Sequence, residues 1–167
     1  MQTQYDYAKD NRTDAEYEAK TLIGQHNQAV AIEQYRIDRT IQRKPNIRVF
    51  VIPDKQFQRQ DGSWGYNSDY IFEIDDVQYP VEVKVQMAKL TDTIDLKLNQ
   101  LKYLAKNNGY ILYATPKRYF IHSAQFLMDN GSIIKSKRFK DKPVCQINVI
   151  NLNWEYWLHK PDFVSYV

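Results

Sequence analysis

The chain of 167 residues contains a single cysteine, Cys145, which excludes an internal disulfide framework and a Cys-rich zinc site. Glycine and proline are scarce, 5 and 6 residues, so collagen-like and linker-like classes are excluded. No apolar run approaches the ~20 residues that span a bilayer. The opening residues Met1-Gln2-Thr3-Gln4-Tyr5-Asp6 lack the basic-then-apolar order of a secretion signal. No glycine-rich phosphate loop is present, so nucleotide hydrolysis is not expected. Neither sign of charge dominates: 23 Lys+Arg stand against 20 Asp+Glu, a net +3. That balance alone announces no polyanionic partner.

Aromatic residues are abundant at 14%, with 13 Tyr, 7 Phe and 3 Trp in a chain that is 43% hydrophobic. Such a length and apolar content can bury a sizeable core. They predict one domain over residues 1–167, soluble, cytoplasmic and not membrane-bound. The charges are sorted along the chain. Bases gather at Arg36, Arg39, Arg43 and Lys44, and again at Lys135, Lys137, Arg138, Lys140 and Lys142. Acids gather at Asp69, Glu73, Asp75, Asp76 and Glu82. This separation favours a polyanion held near an acidic, metal-binding centre, although ordinary solvated faces read the same way.

The pattern predicts an α/β fold, a mixed β-sheet flanked by helices. Residues 13–35 are expected to be helical behind Thr13 or Asp14 as N-cap, with Ala15, Ala19, Leu22, Ile23, His26, Ala29 and Val30 recurring at helical spacing. Strands are expected at 47–52, 69–74 and 78–87, with a loop or hairpin tip at 54–67 and a tight turn at Asp75-Asp76. A helix is expected over 92–106, ended by Asn107-Asn108-Gly109. Further strands are expected at 110–114, 118–121 and 147–152, with a helical turn at 123–128. In the second hairpin strand Val81, Val83, Val85 and Met87 face one way and Glu82, Lys84 and Gln86 the other.

Chemistry concentrates in that hairpin. Asp69 precedes Glu82 by 13 residues, and paired strands lie ~4.8 Å apart, so the two carboxylates can meet. Adjacent carboxylates repel unless a cation neutralises them, and hard oxygen ligands suit Mg²⁺. Lys84, on the same side as Glu82, can reach a water on that cation. Together they can activate water and neutralise charge on a phosphodiester. A half-solvated strand that happens to read Glu-Val-Lys-Val-Gln is the bland alternative. No other constellation competes. His26, His122 and His159 have no ligand spacing, Ser63, Ser68 and Ser132 lack a nucleophile elbow, and Cys145 has no histidine partner. The aromatic stretch Trp154-Glu155-Tyr156-Trp157-Leu158 suits a core or dimer contact better than base stacking.

Ser68-Asp69 followed by Glu82-Val83-Lys84 resembles the PD-(D/E)xK nuclease superfamily, with serine in place of its proline. Within it the chain is most similar to the RecU-type Holliday-junction resolvases. The similarity rests on Asp69-Tyr70 before a short hairpin, a helix with Asn99-Gln100-Leu101, and Asn108-Gly109-Tyr110-Ile111-Leu112-Tyr113 leading to Tyr119-Phe120-Ile121. The resemblance covers residues 67–128, with an echo at Asn11-Arg12. It implies a restriction-endonuclease-like core, Asp69 and Glu82 as metal ligands, Lys84 as catalytic lysine and Gln100 as a helix glutamine near the metal. Mg²⁺ would be the cofactor, with Mn²⁺ able to substitute. Relatives also bring a glutamate from the first helix to the metal; Glu16, Glu18 and Glu33 are candidates, with Glu18 chosen because it shares a face with Ala15 and Leu22. On a helix counted from Ile94 at ~100° per residue, Gln100 falls at about 240°, at the rim of the buried stripe, and Lys97 lies on the same side.

The expected function is therefore a Mg²⁺-dependent endodeoxyribonuclease that resolves four-way or otherwise branched DNA as a homodimer in recombination and repair. The small, Asn/Gln-rich form suits a phage or mobile-element gene in a bacterial cell. Arg36, Arg39, Arg43, Lys44, Lys97, Lys137 and Arg138 are the candidate phosphate contacts. The projecting stalk of that family would fall at 53–67. Two alternatives stand: a sequence-specific restriction or homing-type endonuclease or an exonuclease of the same superfamily, and a non-catalytic DNA-binding module on that fold.

Overall fold

The computed structural model describes residues 14–51 and 70–165, with side chains from residue 19 onward. Helix α1 (Asp14–Ile41) runs for 28 residues, six beyond the expected end at Tyr35. Asn27, Ala31, Ile32, Tyr35 and Asp38 are its buried positions among the described side chains, a stripe at helical spacing. It differs from the expected one, of which Ala19, Leu22, His26 and Ala29 are exposed: the helix is turned so that Asn27 Nδ2 donates to Val164 O at 2.9 Å and Asp38 Oδ2 accepts from Leu158 N at 3.2 Å. Beyond Ile41 the chain leaves the helix through Arg43, at φ 57°, and enters β1 (Ile47–Val51). The expected loop at 54–67, the stalk position at 53–67 and Asp69 lie outside the described residues.

The hairpin of β2 (Tyr70–Ile74) and β3 (Val77–Val85) is closed by Asp75 and Asp76. Both have positive φ, 51° and 63°, the two-residue turn whose twist matches that of paired strands. Pro80 cannot donate to a ladder, and it sits just before Val81, where pairing with the next central strand begins.

The helix expected over 92–106 divides in two. Asp92 precedes the elements, residues 93–97 form β4 (Thr93–Lys97) and the rest α2 (Leu98–Lys106). Ile94 and Leu96 are buried while Asp95 is half-exposed and Lys97 exposed, an alternation of period two that a strand needs. The strand forms because β8 (Lys142–Asn148) supplies a complete antiparallel ladder, Ile94 opposite Ile147 and Leu96 opposite Cys145. The strand expected at 147–152 likewise shifts: β8 ends at Asn148, and Val149–Asn151 is a 3-10 turn. α2 stops at Asn107, and Asn108 takes the left-handed conformation, φ 55°. Gly109 is required for space: a Cβ there would lie 2.7 Å from Leu104 Cδ2 and 2.9 Å from Leu104 O.

β5 (Tyr110–Ala114) and β6 (Arg118–Ser123) follow as expected. Ser123 Oγ accepts from Phe126 N at 3.1 Å and caps α3 (Ala124–Asp129). β7 (Gly131–Ser136) and the short β9 (Glu155–Tyr156) complete the strands.

Two sheets result. The larger has the order β1-β2-β3-β5-β6-β9, and only β3 with β5 is parallel. The smaller is antiparallel, β4-β8-β7. The mixed sheet flanked by helices is thus present. α1 packs on the face carrying Phe72, Val81, Val83, Leu112 and Tyr119. α2, α3 and the smaller sheet cover the opposite face, around Ile111, Tyr113 and Phe120. Trp157 is buried with its Nε1–H donating to Thr115 O at 2.8 Å, a core contact. No helix among the described residues is long and apolar enough to cross a membrane.

Candidate active site

Strand β3 ends at Val85, two residues short of the expected end, so Met87 lies beyond it and is exposed; within the strand the alternation holds. Val81 and Val83 enter the core beneath α1. Glu82 and Lys84 point to the other face, where the parallel register sets them beside Ile111 and Tyr113. Glu82 is 3% exposed. A carboxylate so removed from water must be held by hydrogen bonds, a cation or a metal. Lys84, on the same face, is partly buried.

Gln86 continues the same face. The Tyr113 hydroxyl donates to Gln86 Oε1, and Gln86 Nε2 donates to Ala88 O at 3.2 Å. Burial pushes the Tyr113 phenol up, Arg138 pulls it down and Asp95 pushes it up. The net effect is upward, which keeps the hydroxyl protonated as a donor. Asp95 Oδ1 in turn accepts from Gln146 Nε2 at 3.1 Å.

Gln100 occupies the first turn of α2 with its Oε1 shielded from solvent. The wheel counted from Ile94 does not place it there, because Ile94 belongs to β4. What places it is the start of α2 at Leu98, two residues earlier. Lys97 is the N-cap of α2 rather than a residue one turn into a helix. α2 opens without a side-chain cap and without an acid in its first turn, so its unpaired N–H groups give that end a positive character.

Of the expected metal ligands, only Glu82 has its side chain described. Asp69 lies outside the described residues, and Glu18, like Glu16, lies in α1 where side chains are not described. Glu33 pairs with Arg36 at 3.3 Å. Among the described residues no three His, Cys, Asp or Glu side chains group as a metal site. The donors that are present, the Glu82 carboxylate and the Gln100 amide oxygen, are hard oxygen atoms of the kind Mg²⁺ takes.

The basic candidates fall on two sides of the sheet. Arg36, Arg39, Arg43 and Lys44 belong to the end of α1 and its exit, on the Val81 face. Arg39 is engaged there: Nη2 donates to Pro45 O at 2.7 Å and Nη1 to Tyr35 Oη at 3.2 Å. Lys97, Lys137 and Arg138 belong to the layer on the Glu82 face. His26 and His159 are exposed, while His122 is buried and accepts from Asn153 N at 3.0 Å. Cys145 is buried, its thiol pushed up by burial, and is inert.

Sequence reasoning overlooked Asp95, Tyr113 and Phe139. Asp95 was hidden by reading β4 as helix. Phe139 carries a signal, a lone aromatic within a basic run, and Tyr113 lies opposite Lys84 only once strands β3 and β5 are known to be parallel neighbours. A scan against family models finds no match, and a search of curated proteins finds none.

Proposed function

We propose that the chain is a metal-dependent endodeoxyribonuclease with a restriction-endonuclease-like core, cutting branched DNA in the cytoplasm as a homodimer. The observation that carries the reading is the pairing of a buried carboxylate, Glu82, with Lys84 on one face of β3, the face of the sheet that α2 helps to cover. A face packed by helices is ordinarily apolar. A Glu, a Lys and a Gln at consecutive inward positions therefore call for a reason, and a phosphodiester-cutting centre supplies one.

Asp69, thirteen residues before Glu82 in the sequence, and Glu82 are the proposed metal-holding pair, with Gln100 near them. A bound divalent cation would lower the pKa of a water and offset charge on the phosphate. Glu82, out of bulk water, keeps its carboxylate fixed. Lys84 orients the attacking water or donates to a non-bridging phosphate oxygen, where an ammonium favours the transition state over the ground state. A two-fold dimer would present two such centres to the two strands that must be nicked symmetrically.

The test is cleavage of a labelled four-way junction and its matched linear duplex with Mg²⁺, using wild type and Lys84→Ala. Paired junction nicks that the variant lacks are expected. Cleavage of duplex alone would keep the chemistry and remove the junction preference. Absence of cleavage with binding retained would favour a non-catalytic DNA-binding module.

A further inference from the structure

Among the described residues, the layer on the Glu82 face carries a strongly cationic feature, the turn between β7 and β8. Residues 135–142 read Lys-Ser-Lys-Arg-Phe-Lys-Asp-Lys, five bases against one acid. The 3-10 turn Lys137–Phe139 passes into Lys140 and Asp141, both left-handed at φ 55° and 61°, and the chain reverses into β8. The Phe139 ring gathers cations from two elements. Lys97 Nζ lies 5.7 Å from its centroid and Arg138 Cζ 5.5 Å, within cation–π range. Lys97 is also the residue from which α2 and Gln100 begin. The ring therefore ties the turn to the edge of the candidate active site rather than offering a bare surface for a base to stack upon.

Three observations separate this cluster from the other basic stretch. Lys135, Lys137 and Arg138 are exposed, and among the described residues none has a carboxylate within 4.0 Å. Their layer covers the face that carries Glu82 and Lys84, and Arg138 is near enough to the Tyr113 hydroxyl to influence it. The stretch from Arg36 to Lys44 belongs to α1, on the opposite face, with Arg36 and Arg39 engaged within the chain.

Resting on the nuclease reading and deepening it, we propose that the β7–β8 turn is the surface on which the DNA phosphate backbone lies beside the bond to be cut. Lys97, Lys135, Lys137 and Arg138 are the phosphate contacts, and Phe139 is a positioning residue that holds two of them. Contacts of this kind fix the register of the DNA and carry no sequence information. The turn consequently sets which phosphate reaches Lys84 and leaves sequence unread.

The experiment measures binding of a labelled duplex and a four-way junction by the full chain carrying Lys84→Ala, in EDTA, over a salt series. Adding Lys137→Gln and Arg138→Gln should weaken binding by at least ~10-fold and lower the salt slope by about 2, close to one unit per lost phosphate contact. Adding Lys106→Gln and Lys117→Gln instead, at the far end of α2 and in the β5–β6 turn, should leave both within about two-fold. Phe139→Leu keeps every charge, so its slope should hold while affinity falls several-fold. Equal losses from the two double variants would mean that only net charge matters and would overturn the placement. Unchanged binding in Phe139→Leu would remove the ring from it. If Lys84→Ala alone binds no DNA at low salt, the nuclease reading fails as well, an outcome distinct from a slope that simply ignores the turn.

Discussion

Glu82 stands beside Ile111 across the parallel β3–β5 ladder, a carboxylate at 3% exposure against a side chain with none. The alignment follows from the crossover through β4 and α2, which returns the chain parallel to β3 and covers the Glu82 side of the sheet. Charge placed there costs stability, and groups kept at such cost belong to function more often than to architecture.

Replacing Glu82 with Gln should therefore separate the two roles. The amide is isosteric and uncharged, so the thermal midpoint should stay level or rise by a few degrees, at about 2–4 °C per kcal/mol for a chain of this size. Mg²⁺-dependent cleavage should fall at least ~100-fold, because a metal centre contributes several kcal/mol to the barrier. Differential scanning fluorimetry and junction cleavage on one preparation check both. A large drop in midpoint with cleavage retained would make Glu82 a structural residue.

The hairpin turn offers a prediction confined to the backbone. Asp75 and Asp76 both occupy the left-handed region, where a residue other than Gly, Asn or Asp is strained, and they carry adjacent like charges. Asp75→Asn with Asp76→Gly should stabilise the fold by about 0.5–1 kcal/mol. The expected reading is a higher denaturant midpoint with the slope unchanged.

Two glycines should respond with opposite signs. Gly24 lies within α1, and a Cβ there meets nothing within 4 Å. Gly24→Ala should stabilise by about 0.5–1 kcal/mol through helix propensity. Gly109→Ala would press on Leu104, which has no exposed surface, and should cost about 2 kcal/mol. Thermal melts of the two variants against wild type give the comparison.

What the sequence makes legible follows the range of the interactions. The β3 alternation at Val81–Val85 and the Asp75-Asp76 turn depend on neighbours within a few residues, and both are found where the pattern puts them. The α1 stripe is not: Leu22, His26 and Ala29 are exposed, and the helix instead buries Asn27 and Asp38, which bond to the remote backbone of Val164 and Leu158. β4 differs too. Ile94 precedes Leu98 by one helical turn, so its spacing reads as helix, and only Cys145 and Ile147, some fifty residues away, make it a strand. β7 shows the same difficulty: Ile133 is 66% exposed, so its segment has no clear apolar face, and its ladder with β8 holds it. The candidate site divides likewise. Glu82 and Lys84 follow from β3 alone, whereas Asp95, Tyr113 and the Phe139 turn join them through pairings remote in sequence.

His122 gives the pH prediction. It is buried, its Nε2 accepts from Asn153 N at 3.0 Å, and its ring stacks on Phe126 with centroids 4.1 Å apart. Burial lowers its pKa below the ordinary 6.5. Protonation would convert Nε2 from acceptor to donor against an N–H and place a charge beside the aromatic core. The native state therefore binds fewer protons than the unfolded chain in this range, and stability rises with pH. The His122 contribution is present above about pH 6.5 and is lost as the pH falls through the lowered native value. Urea midpoints at pH 7.5 and pH 5 should differ in wild type. In His122→Gln, which can still accept from Asn153 N and carries no titrating group, that difference should shrink. An equal pH difference in the two proteins would assign it to other groups.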